Sequence, residues 1–218
     1  MSLQQSLFVR CGLPALFVLI AMLWFACPAF AAGPTEYVIY SFPANKSAGS
    51  EPVGNLVADS AGNLYGTASA GGEFGDGDVY ELLRPVPPST KWTQTVLYSF
   101  TGGSDGELPN AGVIFDQAGN LYGTAEFGGD SVGVVFELAP PATAGGQWTE
   151  SLLYTFQGLS GDDGDYPYSG LVFDTSGNLY GTTIYGDVRD TMQTATPDAA
   201  PYFSCGPLPR KERRGQRP

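Results

Sequence analysis

Short apolar runs, separated by breaks rich in glycine and proline, recur along this chain from about residue 36 onward. The clearest stretch starts with Val113-Ile-Phe-Asp116, which ends at a turn, Gln117-Ala-Gly-Asn120. Leu121 to Thr124 follows, then Gly128-Gly129, then Val134 to Leu138. Pro140-Pro141 and Gly145-Gly146 break the chain again before Trp148 to Phe156. Runs this short, rich in β-branched and aromatic residues and bounded by turn formers, predict four antiparallel strands. Asp116 is placed to accept hydrogen bonds from the backbone ahead of it as an Asx turn, and Gly119 and Asn120 both accept positive φ. Val113-Ile-Phe115 and Val134-Val-Phe136 are apolar on both faces, so each sheet is expected to be covered on both sides. No sustained apolar pattern at helical spacing follows residue 32.

The same pattern returns in register. Asp59-Ser-Ala-Gly-Asn-Leu-Tyr-Gly-Thr67 recurs at Asp116–Thr124 and Asp174–Thr182, at spacings of 57 and 58 residues. Tyr40-Ser-Phe42 recurs as Tyr98-Ser-Phe100 and Tyr154-Thr-Phe156. Val79-Tyr-Glu-Leu82 recurs as Val135-Phe-Glu-Leu138, and Trp92 as Trp148. Four strands per period is the content of one propeller blade, and the long period leaves room for longer loops. The expected fold is all-β: a partial β-propeller of about two and a half four-stranded antiparallel blades, within residues 32–187. Another all-β repeat, such as a β-solenoid, is the rival.

The runs Gly-Asn-Leu-Tyr-Gly-Thr, Gly-Gly, Gly-Val-Val-Phe-Glu-Leu and Leu-Tyr-Thr-Phe resemble the GloVer tandem repeat. That family is named for repeat units with a choice of cell-surface anchors. The Asp-x-x-Gly-Asn-Leu-Tyr core is also similar to the turn of NHL-type propellers. The resemblance covers about residues 36 to 187. It implies an exported, mostly bacterial protein of unknown biochemical activity, and it carries no catalytic residue over. No hydrophobic C-terminal anchor of the kind seen in anchored members is read here.

Residues 1–31 read as a signal peptide, with Arg10 in the n-region, Leu13 to Phe25 as the apolar region and Ala29-Phe-Ala31 as the cleavage site. A rival reading makes Cys27 a lipidated residue, but the bulky Trp24 and Phe25 precede it. Localisation is therefore expected to be secreted, extracellular or periplasmic, with surface attachment as a variant, and with no transmembrane segment after the leader is removed. Cys205 is then the one remaining cysteine, so no intramolecular disulfide forms and burial must hold the fold. Residues 188–218 form a tail that holds six of the ten basic residues and lacks the Val-Phe-Glu-Leu strand the repeat calls for. It reads as a disordered terminus or a lost frame, or else as a basic interaction tail.

Between Gly33 and Asp187 there are 19 acidic residues and three basic ones, Lys46, Arg84 and Lys91. Such a surface repels nucleic acid and anionic headgroups but tolerates cations and neutral polymers. The chain has no histidine, which excludes Ser-His-Asp, Cys-His and imidazole chemistry. No Gly-Lys-Ser/Thr loop follows a strand, so nucleotide binding is unsupported.

Carboxylates are the remaining chemical candidates. Glu81 and Glu137 hold equivalent positions and read as architecture. Asp59, Asp116 and Asp174 read as turn formers. Ser104-Asp-Gly-Glu107 and Gly161-Asp-Asp-Gly-Asp165 would suit Ca²⁺, or be solvated acidic loops. Tyr65, Tyr122, Tyr180, Trp92 and Trp148 invite a carbohydrate reading, but their fixed register marks them as core between blades.

No residue is assigned as catalytic, cofactor-binding or metal-binding. The expected role is an exported module with a non-catalytic binding surface for a protein or glycan. The alternatives are a propeller-type lyase or glycan-acting hydrolase using carboxylates, and a truncated remnant of a longer repeat protein. Open end blades expose apolar faces and strand edges, so self-association is also expected.

Overall fold

The computed structural model describes residues 36–43, 48–129, 132–143, 145–158 and 163–185. The leader read at 1–31 and the tail read at 188–218 lie outside the described residues. Regular structure among the described residues is almost wholly strand, as the apolar runs between turn formers predict.

β1 (Pro52–Ala58), β2 (Leu64–Ala68), β3 (Asp78–Leu83) and β4 (Thr93–Ser99) pair in that order as one antiparallel sheet. β5 (Ile114–Phe115), β6 (Leu121–Ala125), β7 (Val134–Ala139) and β8 (Thr149–Thr155) form a second sheet of the same order. A third unit has two strands, each interrupted. β9 (Asp165–Pro167) pairs with β12 (Thr183–Tyr185), and β10 (Val172–Phe173) pairs with β11 (Leu179–Tyr180). Two four-stranded blades and the inner half of a third are thus present, matching the two and a half units expected.

The units agree in their irregularities as well. In the first hairpin the register passes from Val53↔Thr67 to Val57↔Tyr65, giving the inner strand two extra residues. The same slip separates Glu107↔Phe127 from Ile114↔Tyr122, and Pro167↔Thr183 from Val172↔Tyr180. The third-to-fourth strand pairing slips at Val79/Tyr80 and again at Val135/Phe136. Bulges placed alike in each copy bend and twist each sheet alike, so the faces of successive sheets remain complementary. The inner strand therefore reaches further back than the apolar run Val113–Phe115 indicated. Asp165, read as the end of an acidic loop, begins β9.

Successive sheets cover one another face to face. One face of the first blade (Tyr65, Val79, Val57, Leu97) meets the opposite face of the second (Val113, Leu121, Phe136, Leu138, Trp148). The other face of the second blade (Val135, Ile114, Tyr122) meets Leu171, Leu179 and Phe173 of the third unit. Tyr40 and Phe42 cover the remaining face of the first blade against Tyr80, Leu82 and Trp92. Phe100, Phe136 and Phe156 are at most 1 % exposed, each stabilising the fold by roughly 1.5–3 kcal/mol. These faces explain why Val113–Phe115 and Val134–Phe136 read as apolar on both sides.

Candidate functional site: the repeated turn, the seam and an inter-blade cleft

The Asp-x-x-Gly-Asn-Leu-Tyr-Gly-Thr run assigns a separate task to nearly every position. Asp116 Oδ1 accepts the N–H groups of Ala118 (2.8 Å) and Asn120 (2.9 Å). Its Oδ2 accepts the Asn120 side-chain amide (2.8 Å) and the Tyr122 hydroxyl (3.1 Å). Asp59 and Asp174 make the same four contacts in their own copies. Partial burial pushes the Asp59 carboxyl up, but the Asn63, Ala61 and Tyr65 donors outweigh it and hold it below the ordinary range. Asp174 is likewise lowered, chiefly by the Asn178 N–H. These aspartates are turn formers, with both oxygens occupied by donors.

Gly66 and Gly123 make room for the aromatic ring directly across the sheet. A Cβ at Gly123 would lie 2.5 Å from Phe136 Cζ, and one at Gly66 would lie 2.7 Å from the Tyr80 hydroxyl. Cross-strand pairing puts each glycine opposite its ring. The threonine that follows ties one unit to the next. Thr67 Oγ1 donates to the Ala111 carbonyl at 2.8 Å, and Thr124 Oγ1 donates to the Ser169 carbonyl at 3.1 Å.

Three further contacts recur across this seam. The Leu108 N–H reaches the Asp76 carbonyl (3.1 Å), and the Tyr166 N–H reaches the Val132 carbonyl (2.8 Å). Leu108 and Tyr166 both sit at positive φ, 52° and 56°, a conformation that costs non-glycine residues about 1 kcal/mol or more. Gly77 and Gly133 pack on Pro109 and Pro167. Tyr65 meets Phe115 edge-on with ring centroids 4.9 Å apart, and Tyr122 meets Phe173 at 5.2 Å.

The acidic loops fold back on their own strands. Asp105 accepts the Tyr98 hydroxyl (2.9 Å), the Thr101 N–H (2.9 Å) and the Thr101 hydroxyl (2.5 Å). Burial raises its pKa, but the Thr101 and Tyr98 donors outweigh burial and hold it low. Asp163 takes the same place in the next copy, accepting from Tyr154 and the Gln157 N–H. Gly161 and Asp162 of that loop lie outside the described residues. Among the described residues, no group of three or more acidic or cysteine side chains converges on a point where a metal ion could sit. Glu81 accepts the Tyr65 hydroxyl at 2.8 Å across the β2–β3 pair, whereas Glu137 stands opposite Tyr122.

Two carboxylates lie outside the repeat pattern. Asp78 stands where the second blade has Val134, and it is fully buried at the start of β3. Its Oδ2 accepts the Gly49 N–H at 2.6 Å while Oδ1 has no partner, and burial raises its pKa to about 6. Glu150 stands where the first blade has Gln94. Burial, then the nearby Asp105 charge, raises its pKa to about 7. Both could have been singled out from the sequence as departures from an otherwise strict repeat.

A cleft of about 630 Å³ lies between the first two blades. The loop after β2 contributes Glu73 and Phe74, and the loop before β8 contributes Gln147 and Trp148. Glu81 and Tyr98 line its floor. The Glu73 N–H donates to Ser99 Oγ (3.2 Å), which ties the first loop to β4. Phe74 is 54 % exposed, and Trp148 is half-buried against the shared core. An open ring, a partly open indole, two carboxylates and an amide thus share one wall-to-wall space. None of Asp78, Glu150 and Asp165, the carboxylates with raised pKa, lines it.

A sequence model described as Gloeobacter/Verrucomicrobia repeat matches residues 30–193. No curated protein and no solved structure matches the chain.

Proposed function

We propose, from the premise that the chain belongs to the Gloeobacter/Verrucomicrobia repeat family, that it is an exported, non-catalytic binding module whose ligand is a neutral glycan. The resemblance read from the Gly-Asn-Leu-Tyr-Gly-Thr runs is borne out by that membership. The observation that carries the functional reading is the inter-blade cleft with Phe74 and Trp148 beside Glu73, Glu81 and Gln147. Aromatic faces stack on the C–H faces of sugar rings, and carboxylate and amide groups accept and donate to ring hydroxyls. The excess of acidic residues disfavours anionic polymers and leaves neutral ones as the better match. Export rests on the leader read at 1–31, and N-terminal sequencing of the released chain should begin at Ala32.

Catalysis finds little support. The chain has no histidine, and the two carboxylates raised toward neutral pH lie away from the cleft. Affinity electrophoresis against a panel of neutral polysaccharides tests the reading. Retardation on at least one neutral glycan, lost in Phe74→Ala and reduced in Trp148→Phe, is expected. Equal retardation of the wild type and both variants, or none on any glycan, would overturn it.

A further inference from the structure

We infer that the first blade and the third unit carry the two complementary halves of the blade-to-blade seam, and that a second copy of this chain docks across them head to tail. At each internal seam the trailing side supplies a threonine hydroxyl and a tyrosine ring, and the leading side supplies an inner-strand carbonyl and an apolar side chain. The internal trailing threonines, Thr67 and Thr124, are 0 % and 1 % exposed, whereas Thr182 in the third unit is exposed. Val172 is 62 % exposed, while Val57 and Ile114 at the same repeat position are half-buried.

The leading side shows the reverse image. Val113 and Leu171 are 3 % and 5 % exposed, but Leu56, their counterpart in the first blade, is 49 % exposed. Ala58, the counterpart of Phe115 and Phe173, is exposed beside it. The Gly54 carbonyl holds the position of the two carbonyls that receive Thr67 and Thr124. Tyr40 and Phe42 cover the leading face at Tyr80, Leu82 and Trp92 but leave Leu56 and Ala58 exposed, so along its inner strand each end presents what the other lacks, in the geometry already used twice within the chain.

Residues 188–218 contain neither a Val-Phe-Glu-Leu run nor a Tyr-x-Phe run. A second copy supplies the matching face. A head-to-tail joint is heterologous, and it closes when the rotation permits. Two copies together bring four full blades and two half-blades, within the four-to-eight range of closed propellers.

Sedimentation velocity on the processed chain tests this, with Leu56→Glu blocking the leading side and Val172→Glu the trailing side. Both sites are on the surface, and far-UV circular dichroism verifies that each variant is folded. The wild type is expected to associate between about 1 and 100 µM, the range of modest protein interfaces. Each variant alone should be monomeric, and an equimolar mixture of the two should form a 1:1 heterodimer and nothing larger. Thr182→Val should weaken wild-type association about five- to tenfold through one lost hydrogen bond. Added NaCl should tighten association by screening two acidic copies. A monomeric wild type, variants that associate like the wild type, or a mixture that stays monomeric would each overturn the inference.

Discussion

The hydroxyl of Thr67 in the first blade donates to the backbone carbonyl of Ala111 in the second, at 2.8 Å, with the threonine fully buried. Thr124 repeats the contact with Ser169, and Thr182 is exposed with no unit beyond it among the described residues. The third letter of Tyr-Gly-Thr is therefore a joint between sheets rather than part of any one sheet. Thr67→Val and Thr124→Val should each cost about 1–3 kcal/mol, because a buried carbonyl loses its donor. Thr182→Val should leave the unfolding free energy of the monomer within about 0.5 kcal/mol. Urea unfolding at a concentration below association would check the contrast. Equal effects at all three positions would contradict it.

Gly123 is small because Phe136 occupies the space above it. Gly123→Ala should cost about 1–3 kcal/mol by overpacking, and Phe136→Leu introduced alongside should recover part of that loss. Gly119 also resists alanine, for a different reason: its φ is 87° and a Cβ there would meet nothing within 4 Å, so the cost is backbone strain alone. Phe136→Leu should therefore leave the Gly119→Ala penalty unchanged, which a pair of thermal-unfolding cycles would reveal.

Asp78 should weaken the fold as pH rises. Burial lifts its pKa to about 6, so the folded chain holds a proton that the unfolded chain releases near pH 4. Stability from this group is then present at about pH 4, falls as pH rises to about 6, and is level above that, a change on the order of 3 kcal/mol. Asp59, Asp105 and Asp174 act with the opposite sign, since their pKa values are lowered and their contribution is lost only under more acid conditions. Asp78→Val copies Val134 of the second blade. The stability gained by that variant should grow between pH 4 and 6 and then stay constant. A gain independent of pH would show that Asp78 is not protonated on folding.

Glu150 offers a second comparison supplied by the repeat itself, because Gln94 holds its place in the first blade and accepts the Tyr40 hydroxyl at 3.1 Å. With burial and Asp105 raising the Glu150 pKa to about 7, its charge opposes folding above neutrality. Glu150→Gln should raise the thermal midpoint at pH 8.5 and leave it nearly unchanged below about pH 4, where the carboxyl is protonated in both the folded and the unfolded chain. A rise of the same size at both pH values would mean that packing, not charge, is responsible.

Much of this fold is visible in the letters. Strands β2, β3, β6 and β7 follow from apolar runs bounded by turn formers, and the Asp116 turn follows from side-chain chemistry local to nine residues. The seam is not legible, because Thr67 and Ala111 lie 44 residues apart and nothing in either residue names its partner. The positive φ of Leu108 and Tyr166 is hidden for the same reason, since it is imposed by backbone contacts to the preceding unit. The cleft escapes the sequence because its aromatics arise differently: Trp148 is repeat-locked, but Phe74 follows Gly71-Gly72 in a loop whose counterpart after Gly128-Gly129 has no aromatic residue.

Consecutive units are equivalent sheets that cover one another, and the Tyr65–Phe115 contact is where this stacking can be measured. The rings lie 4.9 Å apart at 81° and belong to different blades. A double-mutant cycle with Tyr65→Leu and Phe115→Leu, read by urea unfolding, should give a coupling of about 0.5–1.5 kcal/mol, while the pair Tyr65→Leu and Phe173→Leu should give a coupling near zero. Additive effects for Tyr65 and Phe115 would contradict the face-to-face stacking on which the rest depends.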